Sequence, residues 1–261
     1  MQRRALLSLA GAAGMSLHLP LRAQVTDLND AINKAGRQRM LSQRMGKAWL
    51  TLVHKIDGSP GQPVLDKSMA LFDRQLTELK AYAPNPEIRD TYTKLEAAWS
   101  DYKTALVGSA PEKAGASALL AADAKVLALA HQGTVQYEAA SGKPVGKLVN
   151  VAGRQRMLSQ RMAKFYMAST LQVDVETAKT EIAKARAEFL SAQELLRTAP
   201  EATPRIKDEL DLANGQWVFF DQALQRPQSA NPRALSDVFF SSENLLSAMD
   251  RVTGLYSAVK A

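Results

Sequence analysis

At 261 residues and 46% hydrophobic, the chain is long enough for one large or two ordinary domains and apolar enough to fill their cores. It contains no cysteine, which excludes a disulfide framework, a thiol nucleophile and Cys-based metal or iron–sulfur sites. The formal charge of +7 falls to +4 once the first 23 residues, with three Arg and no acid, are set aside; no basic stretch is interleaved with aromatics, so no nucleic acid is expected as a partner.

Residues 1–23 read as a signal peptide. Arg3 and Arg4 form a charged start, Ala5 to Leu21 is apolar and broken by Gly and Pro, and Leu21-Arg22-Ala23 offers a cleavage site before Gln24. The paired arginines fit twin-arginine export about as well as general (Sec) secretion. An uncleaved N-terminal anchor is the alternative, because Leu21 is a poor small residue for cleavage. No later stretch is expected to reach the ~20 apolar residues of a membrane span. The mature chain is therefore expected to be soluble and exported to the periplasm.

The rest of the chain is written twice. Asn33 to Lys47 reads NKAGRQRMLSQRMGK and Asn150 to Lys164 reads NVAGRQRMLSQRMAK, thirteen of fifteen positions in common at an offset of 117. The register continues weakly: Phe72 with Phe189 and Leu79 with Leu196 at 117, Trp99 with Trp217 and Tyr102 with Phe220 at 118, and Tyr137 with Tyr256 at 119. Two units follow, 25–141 and 145–261, joined at Ser141 to Pro144.

In chain order, Leu41, Met45, Ala48 and Leu52 recur at helical spacing and predict a long first helix, which Gly58 to Pro63 breaks. A second helix carries Met69, Phe72, Leu76 and Leu79 and stops near Ala83 to Pro86. A third holds Ile88, Tyr92, Leu95, Trp99, Tyr102 and Leu106, and a fourth runs from about Ala116 to Ala140. The second unit repeats the pattern, with breaks near Val173, Thr198 to Pro204 and Arg226 to Pro232. No run alternates with period two. The predicted fold is all-α: two tandem antiparallel four-helix bundles.

The identical core of the repeat, AGRQRMLSQRM, holds more polar side chains than packing alone explains, since apolar cores tolerate swaps of similar volume. On a helix, Leu41, Met45 and Ala48 share one face, while Gly36, Arg39, Met40, Gln43 and Lys47 fall on roughly the other. Gly36 leaves room for another backbone, at a cost of about 1 kcal/mol in a helix interior. Two such helices meeting about a pseudo-twofold axis would bring Arg39 and Arg156 together. Facing guanidiniums in a half-buried seam need an acid or an anion, and Arg is a planar donor fork suited to an oxyanion. The ligand-facing residues on this reading are Arg39, Arg156, Gly36, Gly153, Met40, Met157, Gln43 and Gln160. Arg37, Arg44, Arg154, Arg161, Asn33 and Asn150 take secondary, structural places. The plainer alternative is that Arg37, Arg39 and Arg44 form ordinary salt bridges and that Met40 and Met45 fill gaps in the core.

No catalytic residue is expected, and the chain is read as not an enzyme. His18 lies in the signal segment, while His54 and His131 stand alone on predicted helices as surface or boundary residues. There is no His-Glu-x-x-His, nucleophile elbow, phosphate loop or Glu-x-x-His pair. Asp208, Glu209 and Asp211 read as a solvated helix face. No metal site and no cofactor are expected.

The motif resembles the signature of the PilJ / NarX-like N-terminal domain, the sensor module of type IV pilus chemotaxis transducers and of nitrate/nitrite sensor kinases. Its P-box stretch, N-x-A-G-x-x-R-M-x-S-x-R, is matched at every fixed position by Asn33 to Arg44 and again by Asn150 to Arg161. The resemblance implies a four-helix sensor bundle in which the Arg before the Met, here Arg39 and Arg156, grips nitrate at a two-fold axis between subunits. Two copies in one chain imply an intrachain pseudo-dimer as an alternative to a homodimer. The expected function is a periplasmic sensory or binding protein that captures a small oxyanion, nitrate or nitrite favoured, and relays occupancy to a membrane sensor kinase or chemoreceptor. The alternative is a non-enzymatic interaction module in pilus or chemotaxis signalling, with the arginines on a partner's carboxylates.

Overall fold

The computed structural model describes residues 24–260 except 57, 59 and 227–229; the expected signal segment lies outside the described residues. Eight helices follow in order: α1 Leu28–Val53, α2 Gly61–Tyr82, α3 Pro86–Val107, α4 Ala116–Ser141, α5 Pro144–Thr170, α6 Val175–Thr198, α7 Pro204–Gln225 and α8 Pro232–Ser257. A short 3-10 turn, Lys113–Gly115, leads into α4, and there is no strand among the described residues.

The punctuation comes from local chemistry. Asp27 caps α1 by accepting from the Asp30 amide at 2.9 Å, and Asn85 caps α3 by accepting from Ile88 at 2.9 Å. Pro86, Pro144, Pro204 and Pro232 open their helices, where a missing N–H costs nothing. Gly142 takes φ 60°, the left-handed conformation that closes α4 and turns the chain into α5.

Each unit is a four-helix ring. The α1 helix packs on α2 and α4, and α3 closes the ring mainly through α4; α5, α6, α8 and α7 repeat the arrangement. Equivalent contacts recur at the repeat offsets. Gln38 and Gln155 donate to the carbonyls of Phe72 and Phe189, Tyr137 and Tyr256 donate to those of Leu79 and Leu196, and the rings of Phe72–Trp99 (tilted) and Phe189–Trp217 (stacked) have centres 4.3 and 4.4 Å apart.

The two rings are joined along α1 and α5, which run parallel. Ile32 meets Gly146, Gly36 meets Gly153, Gly46 meets Lys164 and His54 meets Met167, positions that climb together along both helices. This seam makes α1 unlike an ordinary bundle helix: 19 of its 26 residues are buried, against 7 of 22 in α3. The apolar face serves its own ring and the polar face meets the other copy.

One expectation is corrected. The segment Lys113–Ser141 is, by length and composition, long and apolar enough to cross a membrane, with a mean hydropathy of 1.2 over its most apolar window. Alanine and leucine raise that value. In the fold the helix packs on α1 and α3 and turns Asp123 and His131 towards the seam with α5.

Candidate functional site

The seam is narrowest at Gly36 and Gly153. A Cβ on Gly36 would lie 3.8 Å from the Gly153 Cα, 3.2 Å from Arg39 Nη2 and 3.6 Å from Arg156 Nη2. The two Nη2 atoms, within 3.2 and 3.6 Å of one point, are therefore no more than 6.8 Å apart. Side chains on a helix lean towards its N-terminus, so each arginine reaches back along the other copy. Arg39 Nη2 donates to the Asn150 backbone carbonyl at 3.2 Å and to its Oδ1 at 2.7 Å; Arg156 Nη2 donates to the Asn33 carbonyl at 3.0 Å.

Both guanidiniums are fully buried and the Nε of each has no partner. Burial pushes Arg39 down to about 9, with Arg154 and Arg156 adding repulsion. Burial also lowers Arg156, to about 10, with Asp250 working against the fall. What separates the two is the group on Nη1. Arg156 Nη1 donates to Asp250 Oδ1 at 2.5 Å, and Arg37 Nη2 donates to the same oxygen at 2.8 Å. Although burial alone would raise the Asp250 carboxyl, these two cations hold it down at about 2. Arg39 Nη1 instead lies 3.2 Å from His131 Nδ1. A guanidinium only donates, so the imidazole accepts and is neutral there; burial and Arg39 push its pKa down to about 4. Among the described residues no carboxylate lies within ion-pair distance of Arg39.

A second pair of buried cations sits further along the seam. Lys164 of α5 pairs with Asp123 of α4, both buried, and Lys47 of α1 donates to Ser242 Oγ at 2.9 Å and Glu243 Oε1 at 2.7 Å on α8. Burial lowers Lys47 to about 8, and Lys47 with Arg44 holds Glu243 near 2 against its own burial. Each first helix thus ties its charge to the last helix of the other ring.

The sequence-derived candidates divide clearly. Arg39, Arg156, Gly36 and Gly153 converge on the seam, and Asn33 and Asn150, expected to be only structural, supply its carbonyl acceptors. Met157 borders a cavity beside Arg39, whereas Met40 is buried in the core. Gln43 and Gln160 do not join the arginine pair: Gln43 Nε2 donates to Asp123 at 2.7 Å and Gln160 Nε2 to the Ser242 carbonyl at 2.9 Å. Arg37, Arg44, Arg154 and Arg161 pair with Asp250, Glu243, Glu188 and Glu181. His131 and Asp250 were missed, although the offset of 119 set by Tyr137 and Tyr256 aligns them with each other.

The cavity beside Arg39 measures about 350 Å³ and opens between α4, α5 and α6. His131, Leu127 and Ala128 of α4, Arg154, Met157 and Leu158 of α5, and Glu188 of α6 are among its walls. Among the described residues no group of three His, Asp or Glu is placed to hold a metal ion.

The family model of PilJ, described as the type IV pili methyl-accepting chemotaxis transducer N-terminal region, matches residues 22–129 and again 137–239. No curated protein and no solved structure matches the chain.

Proposed function

Because the chain belongs to the PilJ family, with two tandem copies of this chemotaxis-type sensory domain, we propose that it is an anion-responsive sensory module working outside the cytoplasm. Its input is a small oxyanion taken up at the α1–α5 seam, with nitrate and nitrite, brought in by the family resemblance, as the first candidates. Its output is a shift of one ring against the other, read by a membrane chemoreceptor or sensor kinase.

The observation that carries this reading is Arg39: a fully buried guanidinium with no carboxylate partner, one Nε unpaired and a neutral imidazole on Nη1. A buried cation without a counter-charge is costly, and an anion delivered from solution relieves that cost. An anion that gripped both Arg39 and Arg156 would join α1 to α5, and any preference for one spacing of the seam would become a conformational signal. A docking module whose arginines bind a partner's carboxylates is less well supported, because Arg37, Arg44, Arg154 and Arg161 already hold carboxylates of this chain.

Isothermal titration of the purified protein with nitrate, nitrite and sulfate tests the proposal. Binding of nitrate or nitrite that Arg39→Ala removes is the expected result. The absence of any heat at millimolar anion, with Arg39→Ala/Arg156→Ala melting and titrating like the parent, would discard it.

A further inference from the structure

The two sides of the seam are equivalent in backbone and unequal in charge, and the inequality leaves a cavity. On one side α8 sends two carboxylates inward, one at each end of a two-turn span: Glu243 takes Arg44 and Lys47, and Asp250 takes Arg37 and Arg156. On the other side α4 offers Ala124 and His131 at the positions 119 earlier, and the carboxylates come from α6 instead, Glu181 on Arg161 and Glu188 on Arg154. The correspondence is structural as well as numerical, since Lys164–Asp123 repeats Lys47–Ser242 and Arg39–His131 repeats Arg156–Asp250. Where Asp250 meets Arg156 with a charge, the neutral His131 ring meets Arg39, and the cavity opens beside that ring.

We propose that the cavity between α4, α5 and α6 binds a small organic acid, whose carboxylate meets Arg154 and displaces the His131 ring from Arg39, so taking the place that Asp250 holds on Arg156 and Arg37, with its apolar body against Leu127, Met157 and Leu158. This rests on the reading of Arg39 as the anion-binding residue and narrows the anion's class.

Five considerations select a carboxylate with an apolar body. The chain's own solution on the opposite side is a carboxylate shared by the two equivalent arginines, at 2.5 and 2.8 Å. Arg154 keeps Nε and Nη2 on Glu188, so its Nη1 is left to turn to a ligand. The volume of about 350 Å³ equals that of roughly a dozen waters, far more than a three-oxygen inorganic anion fills, and it lies in the range of small-molecule sites. Leu127, Ala128, Met157, Leu158 and Ala185 form an aliphatic part of the wall, and ligand atoms laid against it must be apolar to gain from burial. Four cations, Arg39, Arg154, Arg161 and Lys184, against two carboxylates leave the mouth positive, which draws acids in. Bound there, the ligand would touch α1 through Arg39, α5 through Arg154 and α4 beside His131, and so bear on both rings.

The test is titration of the full protein with benzoate and butyrate, their uncharged amides, and nitrate. Benzoate or butyrate should bind, with the matching amide weaker by about tenfold or more. His131→Asp installs the carboxylate that the other side already has; it should cut carboxylate binding at least about tenfold while the melting temperature holds or rises by a few degrees. Ala128→Trp, which fills the cavity from its exposed rim, should block the organic acids and leave nitrate untouched. Binding of nitrate alone, lost in Arg39→Ala, would keep the anion reading and overturn the cavity proposal. Equal binding of benzoate by the parent, His131→Asp and Ala128→Trp would also overturn it, and silence towards every anion would remove both readings.

Discussion

Arg39 and Arg156 occupy the same place in two copies of one motif, yet one is neutralised within the chain and the other is not. Arg156 shares Asp250 with Arg37, while Arg39 leans on the neutral ring of His131 and on two oxygens of Asn150. The difference shows that an identical helix does not make an identical site. The helix sets where the guanidinium points; the weakly similar helix opposite sets what it meets. A duplicated domain can in this way pair one buried arginine with its own acid and leave its counterpart without one.

Removing acids from the two sides sharpens this comparison. Asp123→Ala is expected to be the most damaging change, at about 3–5 kcal/mol, because it leaves Lys164 buried with no counter-charge. Chemical denaturation should show a fall in midpoint larger than for Glu243→Ala, since Lys47 would keep Ser242 Oγ at 2.9 Å. Asp250→Asn makes the Arg156 side resemble the Arg39 side. It should cost about 1–2 kcal/mol, moderated by the partial exposure of Asp250.

Acid titration of stability separates the two sides again. Asp250 and Glu243 are held near 2 in the fold, below their ordinary 3.8 and 4.5, so their contribution is complete above about 4.5 and lost as pH falls towards 2. His131 is held neutral, near 4 against an ordinary 6.5. The unfolded chain takes up its proton first, so stability declines as pH falls from about 6.5 to 4. Thermal melts across pH 2 to 8 should show both stages, and His131→Gln should shrink the upper one to the share of His54, which burial also lowers, and leave the lower one unchanged.

The smallest effect is expected at the glycine contact. Gly36→Ala gains helix propensity of about 1 kcal/mol but places a methyl 3.2 Å from Arg39 Nη2 and 3.6 Å from Arg156 Nη2. The two contributions should leave stability within about 1 kcal/mol of the parent. On the proposed function, anion binding should change more than the melting point does. Gly153→Ala, with 3.2 and 3.7 Å to the same two groups, should behave alike, and a large difference between them would mean that the seam is less symmetric than its backbone.

Much of the architecture was legible because its signals are local. Asn85-Pro86, Gly142 and Pro232 mark helix ends through their own backbone chemistry, and the apolar spacing of Ile88 to Leu106 describes α3 correctly. The Gly58 to Pro63 break is shorter than its composition suggests, since α2 already begins at Gly61. The site was legible only in part. Arg39 and Arg156 stood out because in both copies they share a helix face with a glycine. His131 looked solitary, since its partner lies 92 residues away. Gln43 and Gln160 looked ligand-facing because helix geometry alone cannot say which neighbour covers a polar face.

By itself, then, the sequence determined the helices, the duplication and the presence of two special arginines, all written in short-range spacing and in an exact repeat. Tertiary structure decided which of them meets a counter-charge. Which carboxylate reaches which guanidinium depends on how α4 and α8 lie across the seam, and a pairing between residues 92 or 94 positions apart leaves no local trace in the chain. The open space beside Arg39 follows from that placement: a cavity is the absence of a side chain at a distance, and only packed helices can define it.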